Sequence, residues 1–295
     1  MQDPWHSEYY RDKPKEQRPP KYWLSYRMNK YLEPIAMKTV DGLISVSENY
    51  ITDLKNRYPQ IKNISAANIT FGAFKADIET VERNEFPNLL NPAYKNIVYI
   101  GRGGMDMHSA LTPIFNAFKK GLSANPDYYK TIRLHFIGTS YAPAGRGELT
   151  LMPLAEKLGI EYYVTELPGR ISYYQSLATL NKADALLLTG SDDPNYTASK
   201  IYPYLLLKKP VLSIFNAQSP ALRVLKEYRS AYSYGYNQTP NLEDKIAEFF
   251  ESLIGNEAVE YDLQAEGKYS AETLTAKQCA LFNMVYKNWH KGPLK

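Results

Sequence analysis

Three observations predict an α/β chain built on a doubly wound parallel sheet. From residue 95 onward, short apolar runs alternate with segments whose apolar residues recur at helical spacing. The runs are nearly continuous in apolar residues, as strands covered on both faces are. Several stop at a glycine or a polar loop, and such sheets bind ligands outside the carboxyl ends of their strands.

The first 94 residues read differently. A loop broken by Pro14, Pro19 and Pro20 leads to a helix over 22–39, a strand at 43–46, a helix over 48–57 and an extended piece at 68–71. Two strands are too few for a doubly wound domain. Either they join a neighbouring sheet, or they are the back end of a domain whose front end is absent. Residues 1–76 are therefore expected to form a partial domain. The stretch 77–95, with Pro87, Pro92 and several asparagines, reads as a linker.

The large domain is expected over 96–268. Its first strand, 96–100, stops at Gly101, and Leu111, Ile114, Phe115, Phe118 and Leu122 then mark a helix. Strand 132–137 stops at Gly138, and the next helix carries Leu151, Leu154, Ala155 and Leu158. A strand at 162–165 and a helix over 171–180 follow. Strand 185–189 stops at Gly190, ahead of a helix over 198–207 and a strand at 211–215. A helix over 221–228, a weak strand at 231–234 and a helix over 242–254 complete the pattern. A last helix, 271–286, within 269–295, is expected to run back toward the N-terminal part.

Composition narrows the function classes. The 295 residues are 44% hydrophobic and 22% charged, the balance of a folded globular chain. No apolar run approaches the ~18 residues needed to span a bilayer. The opening residues lack the charged and apolar regions of a signal peptide. The single cysteine, Cys279, excludes an intrachain disulfide and fits a reducing, cytoplasmic setting. It falls in a helical pattern with Leu274, Leu281 and Phe282 and reads as core. No His/Cys/Asp cluster has metal-ligand spacing, so no protein-bound metal is expected.

Net charge is a mild +4, but tyrosine is abundant at 26 residues. In the first 38 residues, Tyr9, Tyr10, Tyr22, Trp23, Tyr26 and Tyr31 interleave with Arg11, Lys13, Lys15, Arg18, Lys21, Arg27 and Lys30. Such a mixture suits an exposed loop leading into a helix. It also suits the headgroup level of an anionic membrane, or a lipid-linked acceptor. A nucleic-acid partner is not expected.

Two motifs carry the chemistry. Gly101-Arg102-Gly103-Gly104 leaves a strand and enters a helix, where glycines admit close backbone approach and a helix start offers unpaired N–H groups. Arg102 adds a fork that matches phosphate oxygens. Asp106 stands where a dinucleotide fingerprint has its third glycine, and no Gly-Lys-Ser/Thr follows. The second motif is Ser191-Asp-Asp-Pro-Asn-Tyr-Thr-Ala-Ser-Lys-Ile-Tyr-Pro-Tyr-Leu-Leu-Leu-Lys-Lys-Pro-Val-Leu212. Here Ser199 is expected to cap a helix and Lys200 to meet an anion held there.

This second segment resembles the nucleotide-sugar loop of retaining glycosyltransferases of the GT-B architecture, family 4-like (glycosyl transferases group 1). Members of that family read Ser/Gly-Lys-x-Tyr/Phe-Glu-Tyr-Leu-x-x-x-Lys-Pro at this place. Gly101-Arg102, Leu180-Asn-Lys-Ala-Asp-Ala-Leu-Leu-Leu188, Glu33-Pro-Ile-Ala-Met37, Val40-Asp-Gly-Leu-Ile-Ser-Val-Ser47 and Phe71-Gly-Ala-Phe74 extend the likeness over most of the chain.

The resemblance implies a GT-B-like fold, with a C-terminal doubly wound Rossmann-like domain, a partial N-terminal Rossmann-like domain and an incomplete N-terminus. It implies transfer of a sugar from a nucleoside-diphosphate sugar to a glycan or lipid-linked acceptor, as in polysaccharide biosynthesis, with no further cofactor. Donor and diphosphate contacts then fall to Gly101, Arg102, Gly103, Arg170, Tyr196, Ser199, Lys200 and Tyr202. His108 is a further anion contact. Asp3, His6 and Asp193 are the catalytic candidates.

Two departures stand out. Where the family carries a pair of glutamates, this chain has Asn195 and Pro203. A non-catalytic nucleotide-sugar-binding or scaffolding subunit is therefore the alternative, and a nucleotide-sugar epimerase a further one.

Overall fold

In the computed structural model of the chain, the described residues are 5–143, 145–230, 232–255 and 263–290. The chain divides into two compact units, one of residues 1–72 and 268–295, the other of residues 73–267.

The first unit begins with α1 (Tyr22–Ala36), β1 (Gly42–Ser45), α2 (Glu48–Arg57) and β2 (Ser65–Asn68). β1 and β2 pair in parallel, Gly42 opposite Ser65 and Ser45 opposite Asn68, with α2 as the crossover. They make their own two-stranded sheet and do not join the larger one. Leu43, Leu54, Tyr58 and Ile61 form its small core.

The second unit holds α3 (Lys75–Arg83), β3 (Lys95–Ile100), α4 (His108–Ala124), α5 (Pro126–Tyr129), β4 (Ile132–Ile137), α6 (Met152–Leu158) and β5 (Val164–Leu167). It continues with α7 (Tyr173–Lys182), β6 (Ala185–Thr189), α8 (Ile201–Leu206), β7 (Val211–Phe215), α9 (Pro220–Glu227), β8 (Tyr232–Gly235) and α10 (Leu242–Ser252). α11 (Leu263–Lys268) then leads to α12 (Ala271–His290), which returns to the first unit and packs on β1 and β2. Gly42 permits that packing, because a Cβ there would lie 2.9 Å from Cγ2 of Val285.

Six parallel strands lie in the order β5-β4-β3-β6-β7-β8. Counted from β3, this is the 3-2-1-4-5-6 order of doubly wound sheets, with its switch point between β3 and β6. Every residue of β6 and β7 is buried. That is why both read as nearly continuous apolar runs. Local chemistry sets the helix ends. Ser172 caps α7 by accepting from Gln175 N–H, and Ser219 caps α9 ahead of Pro220. Gly159 ends α6 in the left-handed conformation.

Three expectations need revision. β5 starts at Val164, not 162, because Glu161–Tyr163 winds into a single 3-10 turn. Seven of the nineteen residues of the stretch read as a linker, 77–83, are helical. α3 docks on α7, where Asp77 accepts hydrogen bonds from Tyr173 (2.9 Å) and Tyr174 (3.2 Å). Cys279 is exposed, because α12 buries Leu274 and Leu281 on the opposite face.

Candidate functional site

β3 and β6 are in register at Ile97–Ala185 and Val98–Leu186 and separate beyond that point. The parting leaves Ile100 without a partner on the β6 side. Tyr204 of α8 supplies one: its hydroxyl accepts from Ile100 N–H (2.8 Å) and faces the Ile100 carbonyl (3.3 Å). At the switch point a buried phenol thus satisfies backbone that a strand otherwise would.

Gly101 follows at φ +147°, a conformation side chains rarely adopt. A Cβ there would collide with the ammonium of Lys200, which lies over this glycine. Lys200 Nζ donates to the Tyr99 hydroxyl (2.7 Å) and sits 3.9 Å from the centre of the Tyr99 ring. The Tyr99 hydroxyl in turn donates to the Arg102 carbonyl (2.6 Å). Burial, then the charges of Arg102 and Arg170, bring the Lys200 ammonium down to a pKa of about 7. Arg102 is held as a fork by both Asp106 oxygens, at 2.9 and 2.6 Å, and this pairing raises its pKa. The loop after β6 is tied to the same place, since Asp192 N–H donates to the Asp106 carbonyl (2.8 Å).

The neighbouring strand ends are filled. The Glu166 carboxylate, at the end of β5, accepts from Thr139 and from the backbone N–H groups of Thr150, Leu151 and Met152 at the start of α6. A helix start that favours an anion already has an internal one. What remains at the end of β3 is Lys200, an ammonium weakened by burial and by its cationic neighbours.

Solved structures of similar fold include a UDP-forming α,α-trehalose-phosphate synthase from Burkholderia xenovorans, with TM-score 0.59 and 12% identity over 91% of this chain and 66% of that one. A sucrose-phosphate synthase from Thermosynechococcus elongatus aligns with TM-score 0.55 and 14% identity over 95% and 65%. TarM from S. aureus, in a complex containing UDP, aligns with TM-score 0.57 and 15% identity over 95% and 49%.

The fold is GT-B-like.

The chain spans less than two thirds of the length of these three proteins. No family model matches the chain. No curated protein matches it.

On this GT-B-like frame, Gly101, Arg102 and Lys200 come together at the β3 end, and the charge of Arg170 reaches Lys200. Arg170 is exposed, with its guanidinium 4.0 Å over the Tyr141 ring. Gly103 serves packing: its N–H donates to Thr139 O (2.8 Å), and a Cβ would press on Thr139 and Thr150. Tyr196 stacks on Phe215, 6.5 Å between centroids. Asp193 closes its own loop by accepting from Asn195 N–H (2.9 Å). His108 faces the Thr150 carbonyl at 2.8 Å through Nε2, which fixes the tautomer as the Nε2–H donor.

Ser199 and Tyr202 are placed otherwise than expected. Ser199 is exposed and caps nothing, because α8 starts two residues later, with Lys200 at its cap position. Tyr202 is buried, at 5% exposure, and does not border an open site. His6 is buried in the first unit, its ring 4.8 Å from Tyr26, and burial followed by the Arg57 charge lowers its pKa. Asp3 lies outside the described residues.

Sequence reasoning missed Tyr204, Tyr99 and Asp106. One signal was present for Tyr204: Lys200 and Tyr204 are four residues apart and share a helical face, whereas Tyr202 points the other way. Tyr99 lies inside an apolar run and reads as strand core. Among the described residues, no group of three His, Cys, Asp or Glu side chains has metal-binding geometry. An open cavity of about 760 Å³ lies between α4 and α10, lined by Thr112, Asn116, Tyr236, Asn241 and Glu243. Its Lys120 is paired with Glu243.

Proposed function

We propose that this chain is the nucleotide-sugar-binding part of a glycosyltransferase that moves a sugar from a nucleoside diphosphate to a glycan or lipid-linked acceptor. The observation that carries the reading is the gathering of Lys200, Arg102 and Arg170 around the end of β3 at the switch point. A diphosphate entering there meets an ammonium destabilised by its cationic neighbours, and its charge relieves that repulsion. In transfer, Lys200 and Arg102 would neutralise the departing diphosphate, a role that needs no metal held by the protein. Arg102 would exchange Asp106 for phosphate oxygens as the donor binds. Tyr196 would border the base or sugar. The acceptor is assigned to the N-terminal part, and the setting to the cytoplasm, in polysaccharide biosynthesis.

One observation favours a second reading, a subunit of the same fold that binds nucleotide sugar without transferring it. Neither Asn195 nor Pro203 provides a carboxylate where the resemblance calls for one. Calorimetry with UDP, ADP and GDP tests the shared part of both readings. Lys200→Ala should weaken binding of the preferred nucleotide by about 1–3 kcal/mol, the size of a lost charge-assisted contact. An unchanged affinity removes Lys200 from the site and the transferase proposal with it. Release of nucleoside diphosphate from the sugar donor then separates the enzyme from the binding subunit.

A further inference from the structure

α1 is turned inside out. The only buried residue of this fifteen-residue helix is a carboxylate, Glu33, at 1% exposure. It is held by Arg57 and by the hydroxyl of Tyr58 (2.9 Å). Leu24, Met28, Tyr31, Leu32 and Ile35 are spaced at i, i+4, i+7, i+8 and i+11 and share one face. All five are exposed, at 66, 51, 71, 43 and 47%. An amphipathic helix in a globular unit normally turns that face inward, so the exposed stripe is built for a cover.

Its charge says which cover. Lys21, Arg27, Lys30 and Lys38 on and beside the helix are exposed. Between Gln17 and Val40 the sole acidic residue is the buried Glu33. Trp23 and Tyr31, exposed on the same helix, are amphipathic rings of the kind that settle at headgroup depth. Among the described residues, no helix is long and apolar enough to cross a membrane, so the contact is one that lies on the surface. We infer that α1 is a membrane-docking helix that lays its Leu24–Ile35 stripe into an anionic lipid surface, with Arg27 and Lys38 against the phosphates.

The test is flotation of the whole chain with phosphatidylcholine vesicles and with mixed phosphatidylcholine–phosphatidylglycerol vesicles, without nucleotide. The chain should float with the mixed vesicles and stay behind with the neutral ones. Each cation near an anionic surface contributes roughly fivefold, so Arg27→Ser with Lys38→Ser should lower partitioning about 25-fold. Leu24→Ser with Leu32→Ser should abolish it. Brominated lipids should quench the Trp23 emission of the unaltered chain, identified by difference from Trp23→Phe, which needs no change to the stripe. Absence of flotation, equal flotation on neutral vesicles, or no quenching of Trp23 overturns the inference. So does light scattering that shows a dimer dissolved by the Leu24/Leu32 substitutions, since a second copy would then be the cover.

Discussion

The two units treat polar and apolar side chains in opposite ways. In the second, a buried carboxylate, Glu166, is surrounded by donors from three successive backbone positions and a threonine. The apolar faces of α4 and α10 close on the sheet, with Phe118, Phe249 and Phe250 fully buried. In the first, the buried carboxylate belongs to a helix whose leucines face outward. α4 and α10 of the second unit turn their apolar faces onto their own sheet, whereas α1 of the first turns its apolar stripe outward. The lesson is that a helix's apolar stripe identifies a face to be covered and does not say by what.

The largest effect that sharpens this comparison is expected at Phe118, packed within 5.6 Å, centroid to centroid, of Tyr129, Tyr163 and Phe250. Phe118→Ala should cost the second unit about 3–5 kcal/mol in urea unfolding. A loss as small as that of an exposed α1 leucine would erase the contrast. Next comes Glu33→Ala, which leaves the Tyr58 hydroxyl without its acceptor and Arg57 with only the His6 carbonyl (3.1 Å). It should cost about 1–3 kcal/mol and speed amide exchange in α1 and α2, with β3 and β6 unaffected. Exchange rising equally in both units would show that the two do not open independently.

Within the site, pH provides a further test. A diphosphate selects the ammonium form of Lys200, so its binding raises a pKa that is about 7 without ligand. Affinity should therefore be full below pH 7. It should fall by up to about tenfold per unit as pH rises through that value, until the raised pKa of the complex is passed. Calorimetry from pH 7 to 9, in buffers of different ionisation enthalpy, should report proton uptake that Lys200→Ala abolishes. The smallest effect is expected at Asp106→Asn. It leaves Arg102 free of its paired carboxylate and should raise nucleotide affinity a few-fold. A drop would mean that Asp106 orients Arg102 instead of competing with the ligand.

Much of the second unit was legible because its strands are buried on both faces: 185–189 and 211–215 could be bounded to the residue. The first helix was visible too, read over 22–39 and found over 22–36, but periodicity carries no sign for inside or outside, so its inversion was not. Ser199 misled because a hydroxyl before a helix reads as a cap wherever the first turn starts, and here the turn starts later. The partnership of Asp106 with Arg102 depends on a loop geometry that spacing alone leaves open.

Amino-acid order by itself determined the alternation of β and α, the glycine at the end of β3 and the lysine ahead of α8, because apolar period and backbone freedom are local properties. Tertiary structure alone decided that Tyr204 meets the Ile100 backbone where β3 and β6 part, that Lys200 lies over Gly101 with its charge weakened, and that α1 shows its leucines to the outside. Those outcomes depend on which residues distant in sequence share a boundary, and on the desolvation and repulsion that such proximity creates.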